Sequence, residues 1–297
     1  MTNSLKSVLK DTIRIARLRQ WMKNLLVFAA PAAAGMLLHE HVLVQALIGF
    51  SIFCITSSGV YFINDSIDAE ADRWHPLKRN RPIAAGRVSV PMAIAVGTIL
   101  LTVGISLGFL VSGWHLGLVV VLYVAITIAY SLWLKNEPVI DLFAVASGFV
   151  LRGIAGGVAT GIPLSEWFLL VISFGALLIV TGKRCSEHQD LGDDRGYHRP
   201  ILNKYSLQFL DYIKTLSSAV TVTAYCLWAF EKASYQPHSA IWFQLSIIPF
   251  VIAILIYASI IDAGKGGSPE DIVLGDHGLQ LMGLSWIILF LLGVYAV

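Results

Sequence analysis

The stretch that decides the fold is "PMAIAVGTILLTVGISLGFLVSGWHLGLVVVLYVAITIAYSLWL", residues 91–134, which contains no Asp, Glu, Lys or Arg. A helix rises about 1.5 Å per residue and needs roughly 20 apolar residues to cross a bilayer, so this stretch is long enough to cross twice. Gly113 divides it near the middle. We therefore predict two transmembrane helices, over 91–112 and 114–134.

The rest of the chain has the same character. Of its 297 residues 56% are hydrophobic and 13% are charged, and the mean hydropathy is +0.72, which is more apolar surface than one soluble core could bury. Further apolar runs cover 25–38, 43–63, 139–160, 165–182, 208–230, 240–261 and 278–296. The pattern predicts an all-α polytopic membrane protein with nine transmembrane helices in one bundle, and residues 1–297 as a single integral membrane domain.

The distribution of positive charge predicts the orientation of this bundle. If all nine runs span, one side of the membrane receives the N-terminal arm and the segments 64–90, 135–138, 183–207 and 262–277. That side then holds every Lys and Arg except Arg152, Lys214 and Lys232. Because cytoplasmic loops carry the excess of Lys and Arg, we predict a multi-pass protein of the inner (plasma) membrane with a cytoplasmic polar cap.

Residues 1–24 are predicted to form an amphipathic interfacial arm. Apolar and basic residues alternate at helical spacing, which is typical of a helix on an anionic membrane surface: Leu5, Val8, Leu9, Ile13 and Ala16 against Lys6, Lys10, Arg14 and Arg17. A signal peptide ending in "APAAAG" (30–35) is the disfavoured alternative, because the basic stretch is long. The short run 25–38 contains Pro31 and could be re-entrant, but only a spanning run keeps the arm on the cytoplasmic side.

The signal for chemistry is "NDSIDAEADRWHPLKRNRPIAAGR", residues 64–87, with four acids and five cations. If the preceding helix continues, Asp65, Asp68 and Asp72 lie on one face at i, i+3 and i+7. Mg²⁺ would relieve their repulsion, because it takes hard oxygen ligands and shares them with phosphate. The cations that follow, such as Lys78 and Arg81, suit a diphosphate. The alternative is a solvated loop whose acids and bases pair with each other.

A second polar loop has a related pattern. In "GKRCSEHQDLGDDRGYHRP", residues 182–200, Glu187, Asp190 and Asp194 repeat the i, i+3, i+7 spacing, although Gly192 could end the helix before the last of them. Four predicted spans separate the two loops, so both lie on the same membrane face. We predict that 64–90 and 183–207 are the active-site loops. The three cysteines and eight histidines show no spacing typical of disulfides or zinc.

Two ionisable residues fall within one apolar run. Arg152 costs roughly 2.5–3.5 kcal/mol at a helix centre, so we expect it to face a polar interior. Asp141 lies on the same face but about 16 Å away along the axis, too far to pair. The helix face that carries both residues is predicted to line a cavity. The small residues near Arg152 permit close helix packing; they are Gly148, Gly153, Gly156 and Gly157.

Several stretches resemble a known family. "NDSIDAEAD" (64–72) resembles the first aspartate-rich motif of the UbiA-type intramembrane prenyltransferases. Together with it, "RLRQWMKNLLVFAAPAAAG" (17–35), "LKNEPVIDLFAVASGFVLRGIAGGVATG" (134–161) and "GKRCSEHQ" (182–189) resemble the decaprenyl-phosphate phosphoribosyltransferase branch. That resemblance implies Mg²⁺-dependent transfer of 5-phosphoribose from phosphoribosyl diphosphate to a polyprenyl (decaprenyl-type) phosphate, with release of diphosphate, in the synthesis of lipid-linked arabinose precursors for cell-envelope glycans.

The resemblance and the residue types together give each position a role. Asn64, Asp65, Asp68 and Asp72 are expected to hold the metal, the three aspartates being catalytic. Substrate contacts are expected from both loops, the arm and the apolar interior: Lys23, Asn64, Lys78, Arg81, Asp141, Arg152, Lys183, Arg184 and Glu187. The pattern does not divide the cations between donor and acceptor phosphates, and it indicates no nucleic-acid partner.

Two alternatives remain open. The first is an aromatic prenyltransferase that joins a prenyl diphosphate to an acceptor like 4-hydroxybenzoate. Those enzymes typically show DxxxDxxxG in the second loop, whereas this chain has "KRCSEHQDLGDD" (183–194). The second is a transporter or lipid flippase using Asp141 and Arg152, which is disfavoured because no inverted repeat is evident and the polar groups gather in two loops.

Overall fold

The computed structural model describes residues 2–75, 78–191, 200–265 and 269–296, and all regular secondary structure in these ranges is helical. The longer helices, in chain order, are α1 (Thr2–Ala16), a 3-10 helix (Leu18–Phe28), α2 (Ala29–Ala33), α3 (Glu40–Ile67), α4 (Ala69–Trp74), α5 (Val90–Leu132), α6 (Ile140–Thr160), α7 (Glu166–Leu191), α8 (Leu207–Tyr235), α9 (Ala240–Asp262), α10 (Pro269–Gly275) and α11 (His277–Tyr295). The prediction of an all-α protein is confirmed.

Seven helical segments are long and apolar enough to cross a membrane. They are α3, the two halves of α5, α6, Glu166–Gln189 of α7, α9 and α11. The halves of α5 are Val90–Val111 and Gly113–Leu132, and they meet where Gly113 adopts a φ of 78°, which favours glycine. The predicted division of the opening stretch is therefore confirmed, and the chain is a multi-pass membrane protein.

The other two predicted spans, 208–230 and 25–38, are not among these seven. Run 208–230 lies inside α8, a 29-residue helix that carries Asp211 and Lys214 and is not among the seven. Run 25–38 does not form one helix: it comprises the end of the 3-10 helix, the five residues of α2, and turns. A proline within α2 has no N–H for helical bonding, and Gly35 takes a φ of 74°, so the helix stops there.

The described chain divides into two compact units. The first comprises Met1–Ala32, Met36–Lys135 and Leu151–Pro163. Its core is formed by side chains such as Val27, Phe53 and Leu116. A Cβ placed on Gly156 would lie 2.0 Å from the carbonyl oxygen of Val27. At this position the small residue does permit a close backbone approach, as predicted.

The second unit comprises Ala33–Gly35, Asn136–Val150 and Leu164–Val297. One part of its core surrounds Leu142 and Leu178. Another is aromatic and includes Tyr225, Trp228, Phe243, Phe250, Trp286 and Phe290. The assignment of the whole chain to a single domain stays a prediction.

Candidate active site

The first acidic loop begins on the last turn of α3. That helix continues to Ile67, so Asp65 is still helical, and α4 starts at Ala69. Between them Asp68 has φ −85° and ψ 0°, which interrupts the helix. The three carboxylates therefore do not share one stripe: Asp65 and Asp72 meet the same arginine, whereas Asp68 pairs with Lys135 Nζ at 2.8 Å.

Asp65 and Asp72 form a buried acidic pair. Their relative exposures are 3% and 4%. Arg81 Nη1 lies 3.1 Å from Asp65 Oδ1 and 2.7 Å from Asp72 Oδ2. Arg17 Nη2 donates a second hydrogen bond to Asp65 Oδ1 at 2.6 Å. A buried carboxylate needs such partners, because an unpaired charge away from water is costly.

The end of α1 is fixed against this loop. Ile15, which is almost fully buried, packs with side chains of α3, α4 and the 81–93 segment. Ser58 Oγ donates to the carbonyl oxygen of Ala16 at 3.2 Å, and Arg87 Nε lies 3.1 Å from Asp11 Oδ2. Helix α1 covers Thr2–Ala16 of the predicted arm, and Arg14 in its last turn lines the pocket described next; the position of the arm at the membrane interface stays a prediction.

A pocket of about 250 Å³ opens beside Asp65. It is lined by Arg14, Arg17, Asp65, Lys78, Asn80, Arg81 and Pro82. Four cations around one carboxylate favour a ligand with several negative oxygens, since guanidinium groups bind phosphate through paired hydrogen bonds. Lys78 and Arg81 were predicted here from sequence; Arg14 and Arg17 were not.

Two of the four predicted ligands, Asp65 and Asp72, fit a Mg²⁺ ion better than the whole set does. Within the described residues, no three His, Cys, Asp or Glu side chains come together as a metal site. Mg²⁺ requires only one or two carboxylates, because water and substrate phosphate complete its six ligands. Asp65 and Asp72 fit this requirement, since both reach one atom of Arg81. Asn64 is half-buried near them, and Asp68 turns to Lys135.

Arg152 is buried in the first unit among polar atoms, as expected. Its Nε donates to Asn24 Oδ1 at 2.7 Å, and its Nη2 donates to the Tyr123 hydroxyl at 3.1 Å. The guanidinium carbon also lies 4.8 Å from the centre of the Tyr123 ring, a cation–π distance. Lys23 precedes Asn24 in the 3-10 helix and is half-buried. Neither cation lines the pocket beside Asp65.

The second unit holds a separate ionic cluster at the C-terminal part of α7. Arg184 Nε donates to Asp141 Oδ2 at 3.0 Å, and its Nη1 donates to Glu187 Oε2 at 3.0 Å. Asp141 and Arg184 are 0% and 2% exposed. Lys183 is exposed, with its Nζ 3.9 Å from Glu187 Oε1. In the described part of this loop, Lys183, Arg184 and Glu187 therefore have ionic partners within the protein.

Tyr205 closes that cluster from the other side. Its hydroxyl donates to Asp141 Oδ1 and accepts the backbone N–H of Val139 at 2.7 Å. Val139 has a φ of 68°, a left-handed conformation that is strained for a β-branched residue. Burial, and then the hydrogen bond to Asp141, raise the pKa of Tyr205 above its ordinary value, so the phenol remains a proton donor at neutral pH.

Part of the second loop lies outside the described residues. These include Asp193, Asp194 and Gly192, and the side chain of Asp190. Residues 266–268 of the 262–277 connection lie outside them as well. In the described part of that connection, Asp276 Oδ1 accepts the N–H of Leu279 at 2.7 Å and so caps α11.

Sequence reasoning missed five residues that the structure places beside the predicted site residues. Arg14 and Arg17 were assigned to lipid, because their spacing also fits an interfacial helix. Lys135 was counted only as a loop charge. Tyr123 and Tyr205 carried no local signal at all, since each meets its partner only through the tertiary fold.

Comparisons with known proteins identify the family and the fold of this chain. The model of the UbiA prenyltransferase family matches residues 26–274. The chain is 40% identical over 296 residues to a decaprenyl-phosphate phosphoribosyltransferase of Corynebacterium glutamicum, covering 98% of this chain and 88% of that protein. It is 42% identical over 291 residues to one of Mycobacterium tuberculosis, covering 97% and 95%. The solved structure of a UbiA homolog from Archaeoglobus fulgidus bound to DMAPP and Mg²⁺ covers 97% of this chain and 99% of its own, with a TM-score of 0.71 and 20% identity.

Proposed function

Because the chain belongs to the UbiA prenyltransferase family, we propose that it transfers 5-phosphoribose from phosphoribosyl diphosphate to a polyprenyl phosphate of the decaprenyl type. The observation that carries this proposal is the cationic pocket beside the buried Asp65 and Asp72. It is supported by 40–42% identity over nearly the whole chain to two proteins named for that reaction.

The pocket supplies the contacts that a sugar diphosphate needs. Arg14, Arg17, Lys78 and Arg81 line it, so its positive charge faces the diphosphate of the donor. Guanidinium forks fit phosphate oxygens in pairs, and a cluster of them fixes both position and orientation. We assign these four side chains to the leaving diphosphate.

Mg²⁺ would be held by Asp65 and Asp72, with Asn64 and Asp68 as the further predicted ligands. When bound, the ion would neutralise charge on the leaving diphosphate. The Asp65 carboxylate already binds two cationic side chains, since Arg17 and Arg81 lie within 3.1 Å of it. The protein's contribution is therefore a preorganised set of oxygens and cations at the place where charge grows.

The reaction exchanges one C–O bond for another. The bond from C1 of ribose to the diphosphate breaks, and its electron pair leaves with the diphosphate. A bond from C1 to an oxygen of the lipid phosphate forms. The lipid phosphate is already an anion, so no general base is required. Lys78 and Arg81 stabilise the charge that develops on the leaving group.

The remaining predicted cations differ in how they are held. Arg184 is fixed between Asp141 and Glu187, and Arg152 is hydrogen-bonded to Asn24 and Tyr123. We therefore assign positioning roles to those two arginines and to Asp141. Lys183 is exposed and Lys23 half-buried, and both stay predicted contacts of the acceptor phosphate or the phosphate of the ribose. Glu187 stays a predicted contact of the ribose hydroxyls.

We also place this reaction at the inner membrane. A polyprenyl phosphate partitions into the bilayer, and phosphoribosyl diphosphate is water-soluble, so the reaction requires a site at the interface. If all nine predicted runs span the membrane, the excess of Lys and Arg on one side favours a cytoplasmic site. The product would enter the synthesis of lipid-linked arabinose for cell-envelope glycans.

The decisive experiment uses the full-length protein, purified in detergent with Mg²⁺. Diphosphate release from phosphoribosyl diphosphate is measured with and without decaprenyl phosphate. A parallel mixture contains a prenyl diphosphate and 4-hydroxybenzoate, because family membership also favours an aromatic prenyltransferase. We expect release that requires the lipid phosphate, with a phosphoribosylated lipid recovered. Activity in the parallel mixture alone would replace the proposal with the aromatic reaction.

A further inference from the structure

One carboxylate oxygen in the first unit is shared by two arginines. Asp65 Oδ1 accepts hydrogen bonds from Arg17 at 2.6 Å and from Arg81 at 3.1 Å. Mg²⁺ binds carboxylate oxygen at roughly 2.0–2.1 Å. A divalent cation on this oxygen would therefore lie within a few ångströms of both guanidinium groups, and like charges so close repel strongly. One of the two arginines has to give way.

Arg17 is the arginine that can leave. Arg81 keeps a second carboxylate, since its Nη1 lies 2.7 Å from Asp72 Oδ2. In the described part of the chain, Asp65 is the acid with which Arg17 pairs. Its side chain is also 27% exposed, and its guanidinium carbon rests 4.7 Å from the ring of Tyr61. The ring provides a surface along which the planar group can turn.

The pocket gives Arg17 a second position. Arg17 lines the same cavity as Lys78 and Arg81, so a rotation of its side chain moves the charge from Asp65 towards a ligand in the pocket. The backbone need not move, because Ile15 is buried against the loop and Ala16 is hydrogen-bonded to Ser58. Only the side chain changes partner.

We propose that Arg17 is an exchangeable counter-ion, which competes with a divalent cation for Asp65 and, when displaced, binds the diphosphate of the donor. The identity of the diphosphate rests on the proposed function. The competition for Asp65 does not, because it follows from the shared oxygen alone. The role predicted for this arm, anchoring on lipid, does not require either property.

The proposal gives effects of opposite sign. Replacing Arg17 by glutamine removes the competitor, so a divalent cation alone binds more tightly. The same change removes one guanidinium from the pocket, so diphosphate binds more weakly once the cation is present. If the role of Arg17 were merely structural, its replacement would weaken both cation binding and diphosphate binding, because the whole loop would become less ordered.

The chain offers two matched controls. Arg14 lines the pocket, but it makes no ion pair with an acid among the described residues. Arg14→Gln should weaken diphosphate binding and leave cation binding within about twofold of the wild type, since only the distant field changes. Lys10 is exposed on the same helix and does not line the pocket. Lys10→Gln should change neither affinity.

The experiment measures two dissociation constants for the full-length protein in detergent. Mn²⁺ alone is titrated and the free ion is followed by electron paramagnetic resonance; inorganic diphosphate is then titrated by calorimetry at saturating Mn²⁺. For Arg17→Gln we expect about tenfold tighter Mn²⁺ binding and about tenfold weaker diphosphate binding. Arg17→Asn is the second variant, because asparagine tolerates the φ of 52° at this position.

The outcomes separate this inference from the proposed function. Mn²⁺ affinity that is unchanged or lower in both Arg17 variants overturns the inference, and so does an equal gain in Arg14→Gln. If the wild type transfers phosphoribose and the opposite shifts are missing, the inference alone fails. If the shifts are present and the wild type transfers no phosphoribose, the proposed function alone fails.

Discussion

Each unit joins an aspartate near the end of a helix to an arginine, but the two ion pairs are built differently. In the first unit the arginines that hold Asp65 are each 27% exposed and also line a pocket. In the second unit Arg184 is 2% exposed and lies between Asp141 and Glu187. Tyr205 closes the remaining side. In the first cluster the partly exposed members are arginines that line a pocket, whereas in the second Arg184 and Asp141 are both buried and Glu187 is the partly exposed partner.

The difference shows how similar residue types serve two purposes. A charge at the edge of a cavity can exchange its partner, because water or a ligand replaces what it loses. A charge inside a closed network cannot, because breaking one contact leaves another group buried without a partner. We therefore expect substitutions in the first cluster to affect activity and substitutions in the second to affect stability first.

Asp65→Asn tests the open cluster with the largest expected effect. The amide has nearly the same shape but loses the charge that pairs with Arg17 and Arg81. We expect turnover to fall at least about a hundredfold while the protein stays folded. Diphosphate release and the thermal midpoint are measured together. Asp211→Asn is the control, since it also removes a charge that pairs with a cation, Lys214, but the Asp211 side chain is exposed. Near wild-type turnover in Asp65→Asn would contradict the assignment.

Arg184→Leu tests the closed cluster. It leaves the Asp141 carboxylate buried without its guanidinium, and breaking a buried pair costs about 3–5 kcal/mol. We expect a large loss in the free energy of unfolding, measured by denaturant titration in mixed micelles. Arg17→Gln is the comparison: it should lower stability much less, because Arg17 is partly exposed and Asp65 keeps its pair with Arg81. Equal losses in both variants would remove the distinction between the clusters.

Gly156→Ala tests whether the first unit tolerates extra volume away from its ions. The added methyl would meet the Val27 carbonyl oxygen at 2.0 Å, and backbone cannot move aside as a side chain can. We expect a loss of about 1–3 kcal/mol from overpacking. Gly283→Ala in α11 is the matched control, because nothing lies within 4 Å of its new Cβ. It should be neutral or slightly stabilising.

Tyr205→Phe has the smallest expected effect, about 1 kcal/mol at neutral pH for the lost hydrogen bonds. The pKa of Tyr205 is raised in the folded protein, so its contribution is complete below the ordinary tyrosine pKa of about 10 and is lost as the pH rises further. Thermal midpoints measured from about pH 7 to about pH 11 should converge for wild type and variant at the alkaline end. Tyr212→Phe, at an exposed tyrosine, should follow the wild type. Parallel curves for wild type and Tyr205→Phe would show that the phenol does not titrate with folding.

Much of the fold was predictable, because most of the long apolar runs form helices that can cross a membrane. The division at Gly113 and the helices α3, α6, α7, α9 and α11 follow from runs of apolar residues. Run 25–38 was not predictable in the same way. A hydropathy average takes no account of the hydrogen bond that a proline cannot make. Run 25–38 is apolar enough for a membrane helix, yet it is divided among the end of the 3-10 helix, the short helix α2 and turns.

The site was predictable where its residues are close in sequence. Asp65, Asp72 and Arg81 fall within seventeen positions, and the structure joins them. The partners that were missed come from far away: Arg17 is 48 positions from Asp65, and Tyr205 is 64 from Asp141. The direction of Asp68 was also missed, because helical spacing assumes a continuous helix and this one is interrupted at that residue.

The docking of α1 has a consequence for how the protein is made. Helix α1 is synthesised before the residues on which it docks: Asp65 follows Arg17 by 48 residues, and Arg87 follows Asp11 by 76. Until that part of the chain has been synthesised and inserted, the arm has nothing to dock on except the membrane surface. Its apolar face serves it during biogenesis, and its arginines serve the finished protein.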